Sequence, residues 1–100
     1  MIRHIVMYQF RDDLTPAEVQ EVIDAFIGLP LKVPNVIGFE WGTNVSNEGK
    51  SEGLTHAFVL TFPDAKALGV YIDHPAHQEF VTLVRQRRSK VVVFDFEIPF

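Results

Sequence analysis

Residues 2–10 constrain the fold more than any other segment, because they read as a β-strand that is apolar on both faces. Successive side chains of a strand point to opposite faces. One face here carries His4, Val6, Tyr8 and Phe10, and the other carries Ile5 and Met7. A strand of this kind needs cover on both sides. It therefore predicts a sheet whose two faces are both packed against something.

The clearest helix start in the chain follows at Thr15-Pro16-Ala17-Glu18. Thr15 can cap the helix, Pro16 suits the first helical position, and Glu18 completes a capping box. Apolar residues then recur on one helical stripe: Val19, Val22, Ile23, Phe26 and Ile27. Gly28 predicts the end of this helix.

The rest of the chain predicts three further strands and two further helices. The strands are expected at residues 36–42, 55–62 and 91–98, with Pro63 ending the second of them. The helices are expected at residues 64–71 and from His74 or Pro75 to about Arg88. The inward-facing positions are Ala65, Leu68 and Ile72 in the first of these helices, and His77, Phe80, Val81 and Val84 in the second.

This order of elements predicts an α+β fold of the ferredoxin-like βαββαβ type over a single domain of residues 1–100. Helices cover one face of the four-stranded antiparallel sheet in such a fold. The other face here carries apolar residues such as Ile5, Met7 and Val59. A large exposed apolar face is unusual on a monomer, so the pattern predicts a homodimer whose two sheets pack face to face.

Composition excludes several classes of function. The chain has 100 residues, no cysteine and a net charge of −4, so thiolate chemistry is excluded and a nucleic-acid binder, which needs a basic surface, is disfavoured. No apolar run reaches membrane-spanning length, and the first residues lack the regions of a signal peptide. The expectation is a soluble, cytoplasmic protein that binds neither nucleic acid nor membrane.

The segment Tyr71 to His77 holds the candidate chemistry. Pro75 suits the first turn of a helix, so His77 lies close to the positive end of the helix dipole, which favours a neutral imidazole able to act as a base. His74 is expected to cap or link the two helices, and Asp73 to be an N-cap or turn residue. The four histidines do not have the spacing of a zinc site, and histidines of small domains commonly serve packing alone.

Several segments together resemble the Dabb family, the stress-responsive α/β-barrel domains. They are the strand around His4-Ile5-Val6, the pair Glu40-Trp41-Gly42, the run from Gly53 to Phe58, the motif Tyr71 to His77, and the close Val93-Phe94-Asp95-Phe96. The resemblance spans nearly the whole chain, and His-Pro-Ala-His is its most specific part. It implies a ferredoxin-like fold and a dimer whose sheets form an α/β barrel.

The resemblance also implies an activity. One plant member of the family closes a linear polyketide thioester by an aldol condensation without a cofactor. By similarity its base corresponds to His77 and its carbonyl-orienting tyrosine to Tyr71, with His4 and His56 as supporting pocket residues. The chain departs from that enzyme at Phe26, where the enzyme has a second pocket tyrosine. The departure implies a different substrate or a drier pocket.

Two functions of different classes stay open from the sequence. The first is a cyclase- or isomerase-like enzyme acting on a polyketide-like or aromatic carbonyl compound held in a small hydrophobic pocket, with no cofactor. The second is a non-catalytic stress-responsive dimer that is structural or binds a small hydrophobic ligand. Some family members also bind magnesium through backbone carbonyls after the first helix, and the matching positions are Pro30, Val33 and Val36.

Overall fold

A computed structural model of the chain describes residues 1–99. Its elements are β1 (Ile2–Phe10), α1 (Pro16–Gly28), a 3₁₀ turn (Leu29–Leu31), β2 (Gly38–Thr43), β3 (His56–Phe62), α2 (Ala65–Asp73), α3 (Pro75–Arg85) and β4 (Arg88–Glu97). The strands form one antiparallel sheet in the order β2-β3-β1-β4. The ferredoxin-like order predicted from the sequence is confirmed.

The start of α1 is fixed by the predicted capping box. The hydroxyl of Thr15 accepts a hydrogen bond from the N–H of Glu18 at 3.2 Å, and the N–H of Thr15 donates to the Glu18 carboxylate at 2.9 Å. These bonds satisfy N–H groups that have no partner within the helix. They also lower the pKa of Glu18, because the carboxylate accepts from the backbone.

The core lies between the helices and one face of the sheet. Phe58, Leu60 and Phe62 of β3 are completely buried there, and β1 adds the face that begins with His4. The ring of Phe26 in α1 stacks on that of Phe58 with centroids 4.2 Å apart. Burying each such side chain contributes about 1.5–3 kcal/mol. These contacts hold α1 against the centre of the sheet.

The end of α3 and the start of β4 were predicted wrongly. The helix ends at Arg85 rather than Arg88, and the strand begins at Arg88 rather than at residue 91. Pairing with β1 explains the difference, because Arg88 lies opposite Phe10 in the ladder. A charged residue can join a strand here since β4 is an edge of the sheet.

Three smaller predictions were also wrong. The inward face of α2 is formed by Ala67, Leu68 and Tyr71, whereas Ala65 and Ile72 are exposed. The strand β2 begins at Gly38 and not at residue 36, and Asp73 is the last residue of α2 rather than an N-cap. A helix of nine residues has too few turns for its inward stripe to be read without ambiguity.

The second face of the sheet is covered by no helix of residues 1–99. It carries the apolar residues expected from the sequence, including Ile5, Met7 and Val59, and β4 adds Phe94 and Phe96, which are 60% and 40% exposed. We call this surface the open face. Within residues 1–99, every helix is too short or too polar to cross a membrane.

Candidate active site

The break between α2 and α3 builds the site. His74 adopts an extended conformation, with φ −63° and ψ 137°, and its Nδ1 accepts a hydrogen bond from the N–H of Ala76 at 3.0 Å. Pro75 occupies the first position of α3, where its missing N–H costs nothing. His74 therefore caps α3, as the sequence predicted.

The break also frees the backbone carbonyl of Ile72. In an uninterrupted helix this oxygen would accept from the N–H of Ala76. Here it accepts from Nδ1 of His77 and from the side-chain amide of Gln78, each at 2.9 Å. A carbonyl oxygen only accepts, so Nδ1 carries the proton and Nε2 of His77 keeps its lone pair.

Burial lowers the pKa of His77 below its ordinary value of 6.5, the Ile72 hydrogen bond partly offsets this, and the nearby His4 lowers the pKa slightly further. The imidazole is therefore neutral at pH 7. A neutral histidine with a free Nε2 is the form that can remove a proton.

Tyr71 packs between the two histidines. Its ring centroid lies 4.6 Å from that of His77 and 5.8 Å from that of His4. The side chain is only 1% exposed. Burial raises the pKa of Tyr71, and the neighbouring Tyr8 acts in the same direction. The hydroxyl consequently stays protonated and can donate a hydrogen bond to a substrate oxygen.

Asp95 joins the site through the pairing of β4 with β1, which sets it opposite His4. Nδ1 of His4 lies 2.5 Å from Oδ1 of Asp95. A carboxylate oxygen accepts, so Nδ1 of His4 is the donor in this contact. Asp95 was not predicted as a site residue. The only sequence signal for it was an acidic residue within a mostly apolar strand. That Asp95 lies opposite His4 depends on the register of β4 on β1, which the sequence does not give.

His56 and Phe26 lie apart from this cluster. His56 pairs with Tyr8, four residues along β1 from His4, which is about 13 Å along the strand. Its ring contacts Phe10 at 5.0 Å, and burial lowers its pKa. Phe26 belongs to the core around Phe58. Of the residues predicted for the site, the structure brings together His4, Tyr71 and His77.

Two recesses lie away from this cluster. A recess of about 580 Å³ opens between the sheet and the loop that joins β2 to β3. Its wall includes Met7, Glu40, Trp41, Leu54, His56 and Val59. A second recess of about 330 Å³ adjoins it along the same loop. Neither recess is lined by His4, Tyr71 or His77.

The loop after α1 holds the three backbone carbonyls that the family resemblance implies for magnesium. Within residues 1–99, the carbonyls of Pro30, Val33 and Val36 accept no hydrogen bond from the backbone outside helices and strands. Oxygen ligands of this kind suit magnesium or calcium. No group of three histidine or acidic side chains in the same range is placed to hold a metal.

Comparison with known proteins gives close sequence relatives. The family model described as Stress responsive A/B Barrel Domain matches residues 2–98. The chain is 34% identical over 96 residues to the stress-response A/B barrel domain-containing protein HS1 of Arabidopsis thaliana, which covers 96% of this chain and 88% of that protein. It is 30% identical over 95 residues to olivetolic acid cyclase of Cannabis sativa, with coverage of 95% and 94%.

Solved structures agree with the fold. The crystal structure of an Arabidopsis thaliana protein matches with a TM-score of 0.94 and 33% identity, covering 100% of this chain and 97% of that one. Hydroxynitrile lyase from Passiflora edulis matches with a TM-score of 0.91 and 25% identity, covering 97% of this chain and 92% of that one. A dimeric ferredoxin-like protein from Jannaschia sp. CCS1 matches with a TM-score of 0.81 and 31% identity. The match covers 97% of this chain and 98% of that one. The chain belongs to the stress-responsive A/B barrel domain family, known as Dabb.

Proposed function

We propose that this protein is a cofactor-independent enzyme of carbonyl chemistry, a cyclase or lyase, in which His77 is the base and Tyr71 the hydrogen-bond donor. The observation that carries the proposal is the 2.9 Å hydrogen bond from Nδ1 of His77 to the Ile72 carbonyl. It leaves Nε2 of a neutral imidazole ready to accept a proton next to a protonated tyrosine. Similarity to olivetolic acid cyclase and to a hydroxynitrile lyase supports the same function.

The reaction follows from these two groups. In a cyclisation, Nε2 of His77 removes a proton from the carbon next to a carbonyl, which becomes an enolate. The Tyr71 hydroxyl donates to the carbonyl oxygen, where negative charge develops. The enolate carbon forms a bond to a second carbonyl carbon of the same substrate, and the proton on His77 passes to the new alkoxide. Electrons balance without an oxidant or reductant.

His4 and Asp95 are positioning residues in this proposal. Asp95 holds the His4 ring through Nδ1, and the His4 ring meets that of Tyr71 edge-on at 66°. The pair thereby orients the tyrosine that donates to the substrate. Where magnesium binds, the carbonyls of Pro30, Val33 and Val36 would hold it and stiffen the loop after α1. No step of the reaction passes through that ion.

The experiment is turnover of a poly-β-keto thioester, followed by the appearance of the cyclised product, with an aromatic hydroxynitrile as a second substrate. His77→Ala should reduce turnover by about 10²–10⁴-fold, the usual contribution of a general base. Tyr71→Phe should reduce kcat while leaving the fold intact, because the ring is retained and only the donor is lost.

His56→Ala is the matched control, since it removes a partly buried imidazole that lies outside the cluster. It should leave turnover near the wild-type value. Circular dichroism and light scattering on every variant separate loss of chemistry from loss of fold. Two results would contradict the proposal: an equal loss of turnover in His77→Ala and His56→Ala, or no turnover of either substrate by the wild type.

A non-catalytic role in stress response is the second candidate, and one observation favours it. Tyr71 and His4 are 1% and 5% exposed, and neither recess adjoins them. A purely structural cluster predicts that His77→Ala lowers the melting temperature and that no ligand raises that of the wild type. Thermal shift with aromatic and polyketide-like compounds, run on wild type and His77→Ala together, distinguishes the two candidates.

We propose further that the protein is a homodimer formed through the open face. The apolar rows of that face and the dimeric ferredoxin-like neighbour support this assembly. Covering exposed apolar surface contributes roughly 25 cal/mol per Å². Light scattering at micromolar concentration should give twice the chain mass, and a stable monomer would refute the proposal.

A further inference from the structure

The open face carries only three charged side chains on its strands. The registers of the four strands place Arg3, Glu40 and Lys90 on this surface among apolar and neutral residues. Lys90 already has a partner, since its amine donates to the backbone carbonyl of Glu52 at 2.9 Å. Arg3 and Glu40 form no ion pair within residues 1–99. Within residues 1–99, the strands of this face therefore present one free cation and one free carboxylate.

Arg3 is held against the sheet without a full set of partners. It lies in β1 between Thr61 of β3 and Phe96 of β4. Its Nε is the one buried side-chain nitrogen in the described part of the chain that has no hydrogen-bond partner. Leaving such a donor unsatisfied costs free energy. A guanidinium has five N–H donors in a fixed plane that fits a carboxylate, and no carboxylate within residues 1–99 forms an ion pair with Arg3.

Glu40 is placed where such a cation can reach it. It lies in the edge strand β2, opposite Val59, and its side chain is exposed. It also lines the recess of about 580 Å³ on the same face, whose nearby wall includes Met7 and Val59. The recess is large enough to admit a side chain from a molecule docked on the face. Its wall carries two carboxylates, Glu40 and Glu52, and one amine, Lys50, so its net negative charge favours a basic side chain.

We infer that, in the homodimer, the partner's Arg3 enters this recess and forms an ion pair with Glu40. A twofold interface is self-complementary, so a contact between positions 3 and 40 occurs twice. One cation and one carboxylate per chain are then neutralised together. The apolar residues of the two open faces pack around these ion pairs. The two ion pairs fix the rotation of one sheet upon the other. This inference rests on the homodimer proposed above.

Charge reversal tests the pairing. R3E and E40R each place like charges opposite one another twice in their homodimers, so each should weaken dimerisation by roughly 100-fold or more. A mixture of the two variants restores opposite charges at both contacts. It should therefore form a heterodimer as tight as the wild-type dimer. Analytical ultracentrifugation of each variant alone and of the equimolar mixture measures this.

K90E is the matched control, because it reverses a charge on the same face at a residue whose partner is in its own chain. It should change the dimer dissociation constant far less than R3E. If R3E or E40R fails to fold alone, recovery of a folded heterodimer on mixing still supports the pairing. The neutral pair R3M and E40Q should each weaken the dimer.

The outcomes separate this inference from the dimer itself. A monomeric wild type would refute the dimer and the ion pair together. A dimeric wild type with R3E, R3M and E40Q dimers of unchanged affinity would overturn the ion pair alone. A mixture that gives no preference for the heterodimer would do the same.

Discussion

The contact between His4 and Asp95 gives a sharp energetic prediction. Nδ1 of His4 and Oδ1 of Asp95 are 2.5 Å apart, and the side chains are 6% and 38% exposed. A hydrogen bond to a charged group contributes about 1.5–3 kcal/mol. Because water reaches the carboxylate, we expect a value near 1.5 kcal/mol. Asp95→Ala should cost at least that, since it leaves the buried N–H of His4 without an acceptor.

A double-mutant cycle isolates this interaction. His4→Phe keeps an aromatic ring against Tyr71 and Phe62 but removes both ring nitrogens, so it is the better second variant than alanine. The double variant should be more stable than the sum of the two losses implies, by about 1–2 kcal/mol. Urea unfolding of all four proteins at one protein concentration measures it, since the stability of a dimer depends on concentration.

The exposed pair Arg11 and Asp13 supplies a matched control. Their side chains are 49% and 63% exposed, and such pairs contribute about 0–1 kcal/mol. Their cycle should show little coupling. If the His4 and Asp95 losses were additive within about 0.3–0.5 kcal/mol, the two residues would be independent and the positioning role would be refuted.

Two further predictions concern stability. Thr15→Ala should lower the free energy of unfolding by about 0.5–2 kcal/mol, because the Glu18 N–H loses its acceptor; an unchanged denaturation midpoint would mean that the capping box contributes nothing. Burial lowers the pKa of His77 below 6.5 in the folded state, so the unfolded chain takes up its proton first as the pH falls. Stability should therefore decline once the pH drops below 6.5 and stop declining below the folded pKa of His77. His77→Gln should flatten this decline in denaturant titrations across that range, and His56, whose pKa is lowered in the same direction, should account for the remaining slope.

Local signals predicted much of the fold. The bounds of β1, the capping box at Thr15 and the cap at His74 each depend on residues close in sequence. The order of elements followed from these local patterns. Such features are set by alternation, by proline and by short hydrogen bonds, all of which are visible without the rest of the molecule.

The remaining features depend on contacts between distant residues. The early start of β4 and the meeting of Asp95 with His4 both follow from the register of β4 on β1. No pattern within residues 88–97 sets that register. The separation of His56 from His4 follows from the pairing of β3 with β1, because alternation places both histidines on one face without giving the distance between them. The sequence identified the histidines as candidate site residues, but it did not indicate which of them contact one another.

The use of a main-chain oxygen to hold His77 has a consequence for how the protein tolerates mutation. Every amino acid at position 72 brings the same carbonyl, so no side-chain replacement there deletes the acceptor that selects the histidine tautomer. Position 72 should consequently tolerate substitution of its side chain, in keeping with the exposure of Ile72. The vulnerable position is Pro75, since a different residue there lets His74 leave its extended conformation, so that the helices can merge and the Ile72 carbonyl can accept from the N–H of Ala76.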